Sequence, residues 1–144
     1  MLVGEYEHTI DDKNRLTFPA KFRQVFEGGL VLTRGIERCL SAYPRSEWTA
    51  TVESRLRELD PLSREGRVMQ RYFYSGAAEA ELDKQGRVMV PSSLSDYAGL
   101  GKEVVVAGIR DHLEIWDRVS WRAHLDEIEG SAEDVAERLA TRRD

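Results

Sequence analysis

Most of what this chain can fold into is constrained by an internal repeat, the kind of feature that decides an architecture before any single residue does. Asp11-Asp12-Lys13-Asn14-Arg15-Leu16-Thr17-Phe18-Pro19 returns as Asp83-Lys84-Gln85-Gly86-Arg87-Val88-Met89-Val90-Pro91, 72 residues later. Aspartate, arginine and proline are copied, and two of the three positions between arginine and proline stay apolar. The helical pattern that follows is copied as well. Phe18, Phe22, Val25 and Phe26 stand at i, i+4, i+7 and i+8, and Val90, Leu94, Tyr97 and Ala98 take the same four places. With one residue added to the second copy, the stretch from Gly35 to Tyr43 lies over that from Gly108 to Trp116. Arg45 then meets Arg118, and Trp48 meets Trp121.

Each copy reads physically in the same way. Tyr6, His8 and Ile10, and again Ala78, Ala80 and Leu82, alternate with polar neighbours and predict a half-buried first strand. Asp-x-x-x-Arg is a turn, and Leu16 with Phe18, or Val88 with Val90, resumes the alternation as a short second strand. Proline then suits the first position of a short helix, and glycines at Gly28-Gly29 and at Gly99 with Gly101 suit its left-handed end. Leu30 to Leu32 pairs with Leu40 to Tyr43, and Val104 to Ala107 with Leu113 to Trp116. A unit of about 45 residues is too small to bury its own core, so the two copies are expected to pack on each other around a pseudo-twofold axis.

The division that follows is residues 1–48 and 75–121 for the repeats, 49–74 for connecting helices and 122–144 for a helical tail. Trp48, Val52, Leu56 and Leu59 mark a helix stopped at Asp60-Pro61, and Ser63 is placed to cap another carrying Val68, Met69, Tyr72 and Phe73. Trp121, Leu125 and Ile128 mark a helix expected to end near Gly130, with Ser131 capping a last short one that bears Val135 and Leu139. Such helices need a surface to cover, either their own chain or a neighbouring subunit.

Composition narrows the function classes. The chain has 144 residues, 41% hydrophobic and 33% charged, enough apolar content to bury a core and too much for a disordered chain. No apolar run approaches the roughly 18 to 20 residues of a membrane span. Glu5 and Glu7 argue against a secretory signal, and the single Cys39 permits no internal disulfide; both fit a cytoplasmic protein. The formal net charge is -5, which argues on first reading against nucleic acid. That charge is unevenly spread: residues 1–77 are close to neutral and the acidity lies beyond them.

Catalytic signals are weak. His8, His112 and His124 are scattered, with no HExxH spacing, no second cysteine for a metal site, no Gly-x-Ser-x-Gly elbow and no phosphate loop. His8 and His112 are expected in structural roles and Cys39 as an inert thiol. Asp126, Glu127 and Glu129 diverge around a helix and read as a solvated face rather than metal ligands. No enzyme activity, cofactor or metal is expected.

The turns differ. Lys13, Asn14 and Arg15 sit in the first, Lys84 and Arg87 in the second, and Lys21 and Arg23 on the helix after Pro19. A rigid turn carrying a cation offers donors to phosphate oxygens, and an arginine reaches guanine O6 and N7 as a fork. Asp11 with Arg15, and Asp83 with Arg87, equally make ion pairs that staple their own turns.

In context these motifs resemble the MraZ proteins of bacteria. The residues that carry the likeness are Gly4 to His8 leading into Asp11 to Arg23, then Tyr97 to Val104 and Leu113 to Trp116. The resemblance spans residue 1 to about 128. It implies an α+β fold of two tandem swapped-hairpin units, similar to the AbrB class of DNA-binding domains, forming a pseudo-twofold barrel with helical extensions. It further implies a ring-shaped homo-oligomer in the cytoplasm, associated with the nucleoid, without membrane contact. Such a ring regulates transcription by binding repeated boxes of double-stranded DNA in the promoter of its own operon, the division and cell-wall gene cluster.

Carried onto this chain, the motifs map to Asp11 and Arg15, with Lys13 and Asn14 between, and to Asp83 and Arg87. With the nearby cations Lys21 and Arg23 as phosphate ligands, the expected DNA-binding residues are Lys13, Asn14, Arg15, Lys21, Arg23 and Arg87, and Asp11 and Asp83 are structural members of the motifs. Asn14 stands where the family's first turn usually has glycine, and asparagine tolerates the positive φ such a turn demands. The charge distribution favours the first copy as the DNA-facing one. The alternative is a structural or protein-binding ring without specific DNA binding, in which Asp11 and Arg15 only brace a hairpin.

Overall fold

The computed structural model describes residues 1–142 and is α+β. Its strands are β1 (Glu5–Thr9), β2 (Arg15–Thr17), β3 (Leu30–Arg34), β4 (Leu40–Pro44), β5 (Ala78–Ala80), β6 (Arg87–Met89), β7 (Glu103–Gly108) and β8 (Leu113–Asp117). The helices are α1 (Ala20–Phe26, of 3-10 type), α2 (residues 45–57, with a π-helical middle), α3 (Arg64–Ser75), α4 (Ser92–Ala98) and α5 (Arg118–Thr141).

Six strands form one antiparallel sheet in the order β1-β7-β8-β4-β3-β5, and β2 pairs with β6 as a separate ribbon. The first strand of each copy thus pairs with the third strand of the other: Tyr6 lies opposite Val106 and Ala78 opposite Leu32. Exchanging the copies, β1 for β5, β3 for β7 and β4 for β8, reverses the sheet order onto itself. The pseudo-twofold axis therefore runs between β4 and β8 and through the ribbon at Leu16, whose partner is Val88. Among the described residues the ladder does not run unbroken around the core: an isolated bridge between Ile10 and Leu16 joins ribbon to sheet.

The physical reason for the exchange is core size. A single cluster holds Leu16, Phe18 and Leu32 from the first copy with Val88, Val90 and Val106 from the second. Phe18 and Phe26 meet edge-on at 5.0 Å, a favourable ring geometry, while Val25, expected on the same face, stays largely exposed. Gly99 ends α4 at φ +60, and Gly29 follows α1 at φ +95.

Ser63 caps α3 as expected, its Oγ accepting from the N–H of Gly66 at 3.0 Å. Tyr72 of α3 and Tyr97 of α4 both donate to the carbonyl of Gly35, at 2.6 and 2.9 Å, and so tie the connecting helix to both copies. The tail departs from expectation. Gly130 and Ser131 lie inside an unbroken α5, and the Ser131 hydroxyl donates back to the Glu127 carbonyl at 2.7 Å instead of capping a new helix. One glycine costs a helix only about 1 kcal/mol, which the strong helix formers on either side offset. The last two positions of the expected tail, 143 and 144, lie outside the described residues.

Candidate nucleic-acid interface

Both Asp-x-x-x-Arg motifs form the same device. Asp11 Oδ1 accepts from the backbone N–H groups of Lys13 and Arg15, both at 2.9 Å, and its Oδ2 accepts from Arg15 Nε at 2.8 Å. Asp83 repeats each bond with Gln85 and Arg87, at 2.9, 2.9 and 2.8 Å. The spacing of four follows, since one carboxylate must span the turn and still reach a side chain at its far end. In both motifs the aspartate is held below its ordinary pKa, first by the backbone N–H of the arginine and then by the guanidinium.

The turn needs a left-handed residue just before the arginine. Gly86 has φ +75 and Asn14 φ +62, so the asparagine adopts the conformation its position demands. Its amide adds a bond that glycine lacks, donating to the Val90 carbonyl at 2.9 Å. Backbone bonds from Val90 N–H to the Asn14 carbonyl and from Phe18 N–H to the Gly86 carbonyl, both 2.9 Å, lock each turn to the other copy's ribbon strand.

Ribbon pairing sets the geometry of the surface. Arg15 lies opposite Met89 and Thr17 opposite Arg87. Leu16 and Val88 are buried, so by the alternation of a strand Arg15, Thr17, Arg87 and Met89 share the outer face. Arg15 and Arg87 are diagonal neighbours, with roughly 7 to 8 Å between their backbones. Each aspartate engages only Nε, and among the described residues neither arginine's Nη groups make a hydrogen bond. The terminal fork of both guanidiniums is thus left unbonded on that face. The two turns differ in local charge, and the pairing of β2 with β6 brings their arginines onto one face.

Each turn is flanked by a cation of the other copy. Arg23, on the helix of the first copy, lies against the second turn: a Cβ at Gly86 would come within 2.2 Å of its Nε, and it lines a groove there with Asp83 and Lys84. Lys102 of the second copy lines the corresponding groove beside Asp11 and Asn14. Lys21 is exposed and donates to the Tyr6 hydroxyl at 2.7 Å, its ammonium 5.2 Å from that ring's centre. Lys13 is exposed at the tip of the first turn. Thr17, Met89 and Lys102 were not singled out from the sequence. Alternation from Leu16 and Val88 would have found the first two, but Lys102 joins the first turn only through the exchanged strands.

The groups outside this face are accounted for structurally. His8 is depressed below its ordinary pKa by burial and by Arg23. His112 stacks on Tyr43 at 4.5 Å and contacts Asp111 at 2.6 Å. Burial, aided by Glu114, pushes the Cys39 thiol up to about 12, far from a reactive thiolate. Among the described residues no three His, Cys, Asp or Glu side chains are grouped to hold a metal ion, and no helix is long and apolar enough to cross a membrane.

Residues 1–69 and 73–143 match the family described as "MraZ protein, putative antitoxin-like". The chain belongs to the MraZ family. The transcriptional regulator MraZ of Acetivibrio thermocellus is similar to it over nearly the full length of both, with 41% identity over 140 residues that cover 97% of each chain. Both Asp-x-x-x-Arg turns fall within the stretches that match the MraZ family, one in each. Among solved structures, the solution structure of PHS018 from Pyrococcus horikoshii is similar at 15% identity and a TM-score of 0.32, covering 80% of this chain and 88% of that one.

Proposed function

We propose that this MraZ-family chain is a DNA-binding transcriptional regulator whose β2–β6 ribbon enters the major groove. Supporting this reading most is the ribbon's outer face, two arginines braced at Nε with both forks unbonded. The major groove of B-DNA admits a two-stranded ribbon, and a braced arginine fork matches guanine O6 and N7. Arg15 and Arg87 read bases together. Asp11 and Asp83 hold them in place, Lys13, Lys21 and Arg23 engage phosphates, and the Asn14 amide fixes the turn.

The repeats 1–48 and 75–121 work as one DNA-reading unit, and the segments 49–74 and 122–144 serve assembly. The chain closes into a ring-shaped homo-oligomer on repeated boxes in the promoter of its own operon, the division and cell-wall gene cluster, in the cytoplasm at the nucleoid. Several ribbons linked on one ring raise each other's effective concentration, so a chain with a net charge of -5 has no need of a strongly basic surface.

A mobility-shift assay on that promoter, repeated across salt concentrations, tests the reading. Loss of a bidentate arginine contact costs about 1 to 3 kcal/mol, so Arg15→Ala and Arg87→Ala should each weaken binding by roughly 5- to 150-fold, and affinity should fall steeply with added salt. Arg15→Ala binding as tightly as wild type sinks the assigned role. A lower Tm in that variant with no DNA effect would favour the ring without specific DNA binding.

A further inference from the structure

We infer that Met89 reads the C5-methyl group of a pyrimidine, and that by doing so it fixes which way round the ribbon sits on its DNA. This rests on the DNA-binding reading above. The ribbon face is close to twofold symmetric. Arg15 and Arg87 exchange across the axis, their aspartates exchange with them, and Leu16 pairs with Val88 on the axis itself. A face built only of these residues would seat equally well in either direction.

The symmetry breaks at one outward position of the ribbon strands. Thr17 and Met89 occupy equivalent places in the two copies, and each lies across the ribbon from the other copy's arginine. Thr17 is half-buried, whereas Met89 is 57% exposed. An unbranched thioether thus stands beside an arginine fork at one end of the face only. On the base edges of the major groove the apolar group is the C5-methyl of thymine, which cytosine lacks unless it is methylated. A flexible, polarizable side chain suits such a contact. The cations that also differ between the copies, Lys13 against Gln85 among them, are phosphate ligands, which position the protein without reading sequence.

The test begins with selection of bound duplexes from a random pool, using the purified full chain. Each thymine of the enriched site is then replaced by deoxyuridine, which removes only the methyl. Burying one methyl contributes about 0.8 kcal/mol, or about fourfold in affinity. The expected result is a penalty of about fourfold at a thymine on one side of the site's centre. Met89→Thr should abolish that penalty, and Thr17→Met should create a second one at the mirror-related position. At the penalised position, 5-methylcytosine should bind about fourfold more tightly than cytosine, which separates the methyl from the rest of the base. A uracil penalty absent at every thymine, or one that survives Met89→Thr, overturns the assignment of Met89. The same holds if Met89→Thr changes the oligomeric state and leaves thymine and uracil discrimination intact. A wild-type chain that enriches no duplex overturns the DNA-binding reading itself.

Discussion

Asn14 holds a backbone conformation, φ +62, that costs a residue with a Cβ about 1 kcal/mol and glycine nothing. Its side chain offsets that cost with the bond to the Val90 carbonyl, worth about 1 kcal/mol. Asn14→Gly should therefore leave thermal stability near wild type, while Asn14→Ala, which keeps the strain and loses the bond, should destabilise by about 1 to 2 kcal/mol in chemical denaturation. Equal stability of the two variants would refute this account. The aspartates set a pH dependence of known sign. Their folded pKa values lie below the ordinary 3.8, so the turns contribute stability that is complete above about pH 4 and is lost as pH falls through the depressed values. Carboxyl carbon NMR should give midpoints below 3.8 for Asp11 and Asp83. Arg15→Ala should raise the Asp11 midpoint only in part, because the backbone N–H of residue 15 is the larger cause and survives the substitution; a full return to the ordinary value would contradict it. At this scale the sequence was highly legible. Aspartate, a left-handed residue and arginine at fixed spacing admit few local solutions, and Asn14 met the same demand as Gly86.

Elements were legible wherever a period of two or near four was clean, and blurred where local and global preferences part. The strand pairs β3–β4 and β7–β8 stand where alternation and turn residues put them. Gly130 followed by Ser131 looks locally like a stop and a cap, yet α5 runs through both. What decides the matter is the unbroken run of helix formers on both sides, a sum over some twenty residues rather than a property of two. A Cβ at Gly130 meets nothing within 4 Å. Gly130→Ala should therefore raise the stability of α5 by about 1 kcal/mol, seen as slower amide exchange around residue 130 and greater helical circular dichroism. A loss of helicity would mean that α5 is interrupted there. Gly86→Ala should do the opposite, since its Cβ would collide with Arg23 and its φ is +75; lower stability is expected together with displacement of Arg23 from the second turn.

For the whole molecule, the repeat disclosed that two copies share one core, yet no linear pattern says which strand of one copy pairs with which strand of the other. That exchange puts Lys102 beside the first turn and Arg23 beside the second, and joins both arginines on one ribbon. It seats the first half of α5 against β7 and β8, with Trp121 beside Trp116, and leaves the second half uncovered among the described residues. From Ile128 onward every described residue of α5 is exposed. Trp121, Leu125, Ile128, Ala132, Val135 and Leu139 recur at alternating intervals of four and three, the seam of a left-handed coiled coil. A stripe of that period fits another helix rather than a sheet or a flat surface, and in a ring of identical subunits the same helix of a second copy is available at matching concentration. If α5 helps close the proposed ring, replacing Ile128 and Val135 with aspartate should reduce the mass measured by light scattering after size exclusion. The secondary structure should be kept, because both side chains are exposed in the chain alone. Binding to repeated boxes should fall by about a hundredfold or more as the linked contacts become independent, while binding to a single box changes little. A variant of unchanged mass would remove α5 from the assembly and leave the connecting segment 49–74 to carry it.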